Sequence, residues 1–431
     1  MKTLPQPAPA GPPPAAPAAQ AAPRAHRLAA QAASYRRARR KAATQALLLA
    51  LPLLVFLLAT FIAPIAILLA RSVRNPEVPG AMPQLAHVLR QWDGRGVPGE
   101  AGFAALAAGL RAAAEAGSLG EAARRMNFYQ PEFRSLLLKT ARTVRAHDGG
   151  GPWRPLLVQA DARWGQPDTW RLLKRASSAW TPDYLLNGID AQVTPEGRVA
   201  AVPPDSAVYR AAFARTVSIS ATVTLLCLVL AYPVAWLLAN LPPRQGNRLM
   251  LFVIIPFWTS LLVRTTAWYV LLQPGGVVNR VLLALHLVDA PLPLIFNRAG
   301  VLIGMTHVLL PYMILAIYSV MKGVPPIYLR AAQSLGAHPA VAFVRVYMPQ
   351  TLPGVGAGCF LVFVLALGYY ITPALLGGAG DEMISQLIAA QTNDLLNWGL
   401  AGALSAYLVI FTAVFYFIFN RLVGVDRLRF G

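Results

Sequence analysis

The stretch Tyr328–Pro353, YLRAAQSLGAHPAVAFVRVYMPQTLP, is a polar, turn-bearing segment held between two long apolar segments. The prolines just before it favour a helix start, because proline is tolerated in a first turn where its missing N–H is not needed. Gly336 can end that helix in the left-handed conformation. Pro339 then predicts a second short helix that reaches Met348-Pro349. The stretch therefore predicts two short helices at an angle, with a small alanine surface at the bend.

The spacing of these residues resembles the loop E-A-A-x3-G-x9-I-x-L-P of the permeases of ABC importers. The matching positions, with valine for isoleucine and methionine for leucine, are Ala331, Ala332, Gly336, Val346, Met348 and Pro349. Arg330 stands where the family has its acid and reverses that charge. The resemblance implies that the loop 322–353 is a cytoplasmic coupling loop that docks in a groove of a separate ATPase subunit. The alternative is a helix–turn–helix linker between two membrane spans.

The composition is that of a membrane protein. The chain has 431 residues, of which 56% are hydrophobic and 13% charged, and several runs of about twenty residues lack any acid. The net charge of +20 would suggest nucleic acid in a soluble protein. Here we assign much of it to basic residues that gather where the chain meets the cytoplasm, and we expect no nucleic-acid partner. The two cysteines fall in predicted spans, so we expect no disulfide.

Hydropathy predicts an all-α membrane protein with six transmembrane helices, and the resemblance implies the type I importer permease fold. The predicted spans are Thr44–Ala70, Ala214–Leu241, Leu249–Leu272, Ala299–Met321, Gly354–Leu376 and Gly399–Val423. A basic cluster precedes the first span, and arginines follow the last, so both termini are expected in the cytoplasm. Six spans place the loop 322–353 on that same side, as the resemblance also requires.

The segments outside the spans differ in composition. Residues 1–43 form a Pro/Ala-rich, basic tail that we expect to be disordered, and 424–431 form a short cytoplasmic tail. Residues 71–212 hold 18 of the 38 Lys/Arg and 13 of the 18 Asp/Glu, so we expect a solvated periplasmic insertion before the permease domain 213–423. Within it we predict helices over Ala101–Met126 and Pro131–Arg145, and turns at Gln166–Asp168 and Val202–Asp205. Its mixed charge and five tryptophans favour a packed unit.

Three further stretches resemble the spermidine/putrescine type of permease. They are PFWTSLLVRTTAWYVLL in the third span, GGVVN after it, and ALLGG…MISQLI…NW before the sixth. The resemblance implies a bacterial inner-membrane protein that moves polyamines inward. It also implies a second, related permease as heterodimer partner, an ABC ATPase dimer and a periplasmic substrate-binding protein. Another small solute, such as an amino acid, an opine or an iron complex, stays open as an alternative.

Four residues are candidates for the translocation pathway. Arg264 lies inside the third span, where an arginine costs about 2.5–3.5 kcal/mol on insertion. It is either a pathway or gate residue on the outer side, or a structural arginine that snorkels to the interface or bonds a neighbouring helix end. His307 lies four residues before Pro311 and could line a cavity, although bonding to the carbonyls freed at the proline bend is the reading we favour. Tyr369 and Tyr370 could offer ring faces to a cation, or anchor a helix end at the interface.

The sequence lacks intramembrane acids and several motifs that other functions would require. The predicted spans contain no Asp or Glu, so a polyamine would find no intramembrane counter-ion in this subunit. The chain has no GxxxxGK[ST], HExxH or GxSxG motif, so ATP must be bound by a partner, and no cofactor or metal is expected here. An intramembrane enzyme would need a nucleophile–base pair on facing spans. A secondary carrier or channel would lack the coupling loop.

Overall fold

The structure is a computed structural model that describes residues 41, 44–46, 48–147, 149–194 and 197–423. The predictions for the two tails, 1–43 and 424–431, fall outside these residues except at Lys41. The chain divides into two compact units, Met1–Ile67 and Leu68–Gly431.

The described residues are mostly helical, as predicted. In chain order the helices are α1 (Thr44–Arg71), α2 (Glu77–Ala81), α3 (Pro83–Gln91), α4 (Glu100–Glu115), α5 (Leu119–Tyr129), α6 (Phe133–Ala146), α7 (Trp153–Ala160), α8 (Pro167–Ala176), α9 (Asp183–Asn187), α10 (Tyr209–Asn240), α11 (Pro243–Ile254), α12 (Leu261–Leu272), α13 (Val277–Ala284), α14 (Arg298–Met321), α15 (Ile327–Ser334), α16 (Pro339–Gly368), α17 (Ile371–Leu376), α18 (Ile384–Asn393) and α19 (Trp398–Val423). Two short antiparallel strands, β1 (Ala191–Val193) and β2 (Val199–Ala201), pair with Gln192 opposite Ala200.

Among the described residues, five helices are long and apolar enough to cross a membrane. They are α1, α10, α14, α16 and α19. A sixth crossing exists only if the bent pair Pro243–Trp258 and Leu261–Ala284, which meet at 97°, counts as one span. The prediction of one continuous third span over Leu249–Leu272 was therefore wrong. The break follows Pro256, which lacks the N–H for a helical bond, and Thr259 and Ser260 are extended.

The prediction for the fifth span was also wrong at both ends. The helix that begins at Pro339 does not stop at Met348-Pro349 but continues to Gly368. A π-helical turn at Phe343–Tyr347 precedes Pro349 and widens the backbone where the proline ring would otherwise clash with the preceding turn. At the other end Tyr369 is extended, so the predicted end Ile371–Leu376 forms a separate short helix.

Glycines allow close packing at the centre of the bundle, where α10, α14 and α16 enclose one hydrophobic core. A Cβ atom at Gly358 of α16 would lie 2.7 Å from Met313 Sδ on α14, and one at Gly354 would lie 2.9 Å from Val320 Cβ. On the other side of α14, a Cβ at Gly304 would meet Leu376 of α17 at 2.5 Å. Small residues at such crossings let helix backbones approach in the membrane, so α14 is held between α16 and α17.

The segment between α1 and α10 has a hydrophobic core of its own. Trp164 and Trp170 are fully buried in it with Phe103 and Phe133, and the Trp164 indole N–H donates to Thr140 Oγ1 at 2.8 Å. The expected packing of this segment is therefore present. Trp180 differs from the expectation because 62% of it is exposed.

Two local predictions in this segment were wrong. The predicted helix Ala101–Met126 is interrupted after Glu115, because Gly117 adopts a left-handed φ of +74° and starts a new direction. The predicted turn at Gln166–Asp168 is the start of α8, with Pro167 in its first turn. The second predicted helix is present as α6, and its apolar face is buried.

A buried polar network inside this segment ends on a tyrosine that packs against the bundle. Arg125 donates to Asn75 Oδ1 and to the Tyr129 hydroxyl at 2.7 Å each, and that hydroxyl donates to Asp183 Oδ2 at 2.7 Å. The Arg125 guanidinium also lies over the rings of Tyr129 and Tyr184, at 4.3 and 4.2 Å from their centroids. The Tyr184 ring packs so closely on Gly399 of α19 that a Cβ there would lie 2.2 Å away.

Candidate coupling loop and translocation pathway

The bend of the predicted coupling loop is a Schellman motif, which satisfies the last carbonyls of α15. Gly336 has a φ of +88°, its N–H donates to the Gln333 carbonyl at 2.9 Å, and the Ala337 N–H donates to the Ala332 carbonyl at 3.1 Å. His338 then caps α16, since its Nδ1 accepts from the Ala340 N–H at 3.3 Å. The turn is therefore built from backbone hydrogen bonds that need a residue able to adopt a left-handed conformation at 336.

The loop exposes apolar side chains around this turn. Leu335 is 90% exposed and Ile327 is 63% exposed, and Tyr328, Val341 and Val344 are exposed as well. Exposed apolar residues in one short segment mark a surface for another protein or for lipid. We call these five residues the apolar rim of the loop.

The residues of the predicted motif take different positions in the loop. Ala331, Gly336 and Pro349 are exposed, whereas Ala332, Val346 and Met348 are half-buried. A Cβ at Gly336 would meet nothing within 4 Å, so the space around it is open in this chain. Arg330 is exposed and makes no ion pair with the described residues.

An aromatic cluster joins the loop to the bundle, and sequence analysis missed it. Phe343 stacks on Tyr347 at 5.5 Å between ring centroids, and the edges of Tyr232 and Trp236 of α10 meet Phe343 at 6.4 and 6.2 Å. The Tyr232 hydroxyl also lies 3.0 Å from Thr351 Oγ1. The i, i+4 spacing of the aromatics in both helices was the available signal. The cluster therefore connects the loop to α10 through packed aromatic rings.

Arg264 lies on α12, His307 on α14, and Tyr369 directly after the last residue of α16. The Arg264 guanidinium is near enough to interact electrostatically with both other side chains. Its Nε and Nη1 are buried without a hydrogen-bond partner, and so is Nδ1 of His307. This nitrogen therefore does not bond a carbonyl freed near Pro311. The His307 ring instead meets the edge of Trp268 at 5.4 Å.

The two tyrosines separate at the break that ends α16. Tyr369 is half-buried against the bundle core, and its carbonyl accepts from Ser385 Oγ at 2.6 Å. Tyr370 lies beyond it and is 44% exposed. Two of the predicted pathway residues, His307 and Tyr369, are therefore within electrostatic range of a third, Arg264. Tyr370 is next to Tyr369 in the sequence. The described membrane helices bring no carboxylate to this site.

Comparison with known proteins places the chain in a family. Residues 231–425 match the family described as binding-protein-dependent transport system inner membrane component. The spermidine/putrescine transport system permease protein PotB of Salmonella typhimurium (strain SL1344) is 37% identical over 198 residues, which cover 46% of this chain and 69% of that protein. PotB of Escherichia coli (strain K12) is 36% identical over 198 residues, covering 46% of this chain and 72% of that protein. The chain belongs to this family.

The permease is thus a multi-pass inner-membrane subunit of an ABC importer and not an enzyme, as predicted. Membership of the family implies an ATPase and a substrate-binding protein as partners. A solved structure is also similar, that of a bacterial alginate ABC transporter in complex with an alginate pentasaccharide-bound periplasmic protein. It is 17% identical to the permease with a TM-score of 0.41 and covers 50% of this chain and 77% of that one.

Proposed function

We propose that this permease moves polyamines of the spermidine/putrescine type from the periplasm to the cytoplasm by alternating access. The observation that carries the proposal is the 37% identity to a spermidine/putrescine permease over 198 residues. The family match, over residues 231–425, includes both the loop 322–353 and Arg264. The proposed assembly is a heterodimer of this chain with a second permease, two ATPase subunits and a periplasmic binding protein.

The charge of the pathway limits how a polyamine can pass. Arg264 and His307 bring no negative charge, and the described membrane helices contain no Asp or Glu. The cation would therefore be met by aromatic faces such as Tyr369 and Tyr370, by backbone carbonyls at the broken helices, or by acids of the second permease. We infer that the positive charge of Arg264 disfavours a cation in the part of the pathway formed by this subunit, compared with the part formed by the second permease.

The coupling loop is the proposed site of energy input. The apolar rim and the half-buried Ala332 offer a surface that the ATPase groove could cover, with Arg330, Ala331 and Gly336 at its edge. Val346, Met348 and Pro349 lie beside the aromatic cluster that contacts α10. Closure of the ATPase pair on ATP would move this loop, and the cluster around Phe343 would transmit the movement to the membrane helices.

The segment 71–212 is proposed to lie in the periplasm, cap the outer mouth and touch the binding protein, with both termini and the loop in the cytoplasm. Its support is the hydrophobic core together with the Arg125 network, which ends on Tyr184 against α19. Deleting the segment should abolish stimulation of ATP hydrolysis by the binding protein. Unchanged stimulation would remove this role.

A solute panel tests the proposed function. The complete complex is reconstituted in nanodiscs, and ATP hydrolysis is measured with the binding protein loaded with spermidine, putrescine, an amino acid, an opine or a ferric complex. Polyamines should stimulate hydrolysis above the unloaded binding protein, and the other solutes should not. Stimulation by one of the others alone would identify a different substrate and overturn the polyamine assignment.

A further inference from the structure

A groove of about 520 Å³ lies between the first turns of α10 and the middle of α19. Phe213 and Ala214 line it from α10, and Leu404, Phe411 and Val414 line it from α19. Phe213 and Phe411 meet edge to face at 5.2 Å between their ring centroids. The α19 residues recur at three- and four-residue spacing, so they form one face of the helix. The wall of the groove is therefore apolar over several turns.

The two tyrosines in the wall keep their polar ends out of the groove. The Tyr407 hydroxyl donates to the Leu185 carbonyl at 2.7 Å, and the Tyr209 hydroxyl accepts from Gln391 at 3.4 Å. Their rings remain as lining. An occupant of the groove would therefore meet hydrocarbon and aromatic surface rather than hydroxyl groups.

Arg210 is the charged residue of the lining and lies at the end where α10 begins. Its side chain is exposed and makes no ion pair with the described residues. The nearby carboxylate of Asp190 is already engaged, because it accepts from the backbone N–H groups of Tyr209 and Arg210 at 3.0 and 2.8 Å. The guanidinium is thus a free cation at the polar end of an apolar groove.

The length of the groove favours one kind of occupant. From Leu404 to Val414 the helix rises about 15 Å, at ~1.5 Å per residue. That is about half of the ~30 Å hydrocarbon thickness of a bilayer. A membrane-spanning partner helix would need the full thickness, whereas an acyl chain occupies one leaflet.

We propose that this groove binds an anionic phospholipid, with an acyl chain against Phe213 and Phe411 and the phosphate on Arg210. Guanidinium groups bind phosphate oxygens in charge-assisted pairs, which fits the position of Arg210. The leaflet rests on the orientation given under the proposed function and is the periplasmic one. The lipid would hold the start of α10 against α19, next to the segment that carries the Arg125 network.

The test is photolabelling of the complete complex in phosphatidylcholine nanodiscs. The probe is phosphatidylglycerol with a diazirine in its acyl chain, and the labelled peptides are mapped. Labels should concentrate on 404–414 and 213–214, and exceed those from the matching phosphatidylcholine probe. Arg210→Gln should lower labelling about fivefold, since one basic group near an anionic lipid contributes ~1 kcal/mol. Arg210→Lys should retain most of it.

Two further variants and three contradicting outcomes complete the test. Arg90→Gln removes an exposed arginine of α3 outside the groove and should leave labelling unchanged, whereas Ala214→Trp should fill the groove and remove the label from 404–414. Equal labelling of the wild type and Arg210→Gln, or even labelling of all membrane helices, would overturn the proposal. Competition by soluble glycerophosphoglycerol would also overturn it, because a headgroup alone would then suffice. The assay uses no polyamine or ATP, so its failure leaves the proposed function standing.

Discussion

Replacement of Gly336 tests whether the predicted coupling loop needs the backbone conformation of this residue or the open surface around it. The glycine has a φ of +88° and a Cβ there would meet nothing within 4 Å, so an added side chain is opposed by conformation and not by crowding within this chain. An L-residue in the left-handed region costs about 1–2 kcal/mol, and asparagine tolerates it better than alanine or valine. The two Schellman hydrogen bonds, at 2.9 and 3.1 Å, depend on that conformation.

The expected loss of ATPase affinity follows from the free-energy cost of this left-handed conformation. If the docked loop must keep the turn, 1–2 kcal/mol weakens ATPase docking by about 5- to 30-fold, since 1.4 kcal/mol is a factor of ten. We expect Gly336→Ala to fall in this range, Gly336→Val to fall further because it is β-branched, and Gly336→Asn to remain near the wild type. Retention of the ATPase subunit on the purified permease and its stimulated ATP hydrolysis measure the effect.

Gly120→Ala is the matched control, because Gly120 lies in α5, where its Cβ would also meet nothing within 4 Å and the helical backbone accepts alanine. It should leave docking unchanged. An equal loss for Gly336→Asn and Gly336→Ala would show that side-chain volume against the ATPase, and not the turn, is what matters. Full docking of Gly336→Ala would refute the requirement for the left-handed conformation.

Four other outcomes follow from the same structure. Ala332→Trp enlarges a half-buried position of the loop and should reduce transport about tenfold, since overpacking costs ~1–3 kcal/mol; wild-type uptake would count against docking there. Arg330→Glu should change ATPase retention less than about fivefold, since exposed pairs contribute ~0–1 kcal/mol, and a larger loss would reveal a paired acid in the ATPase. Single cysteines introduced at the exposed Ser178 and Ser334, after replacement of Cys227 and Cys359, should label from opposite sides of the membrane; labelling of both from the periplasm would overturn the topology. Trp164→Ala should destabilise the segment 71–212 by ~3–5 kcal/mol, seen as faster proteolysis of the full chain, because Trp164 is fully buried; unchanged proteolysis would contradict its place in the core.

The turn at Gly336 was predictable because the residues that produce it lie within the turn itself. Gly336 and Pro339 impose their backbone conformations through covalent geometry, and both act in the structure where the sequence placed them. The helices α14 and α19 were also predicted within a residue or two, since an uninterrupted apolar run has one stable structure in a bilayer.

Two of the failures arise where the backbone compensates for a proline. Pro256 and Pro349 both interrupt helical bonding, yet one is followed by a 97° bend and the other by a continuous helix. The π turn before Pro349 is stabilised by Phe343 and Tyr347, which pack on α10, and no local pattern reports such a tertiary contact. The position of Arg264 within electrostatic range of His307 also depends on tertiary packing. Both residues could be singled out in the sequence, but not paired.

Uptake of labelled spermidine tests directly whether the permease imports polyamines. Proteoliposomes hold the permease, its partner permease and the ATPase, with ATP inside and the loaded binding protein outside. We expect accumulation of spermidine that requires ATP and the binding protein, and that falls with Gly336→Ala but not with Gly336→Asn. No accumulation of spermidine or putrescine by a complex that hydrolyses ATP with another loaded solute would contradict it.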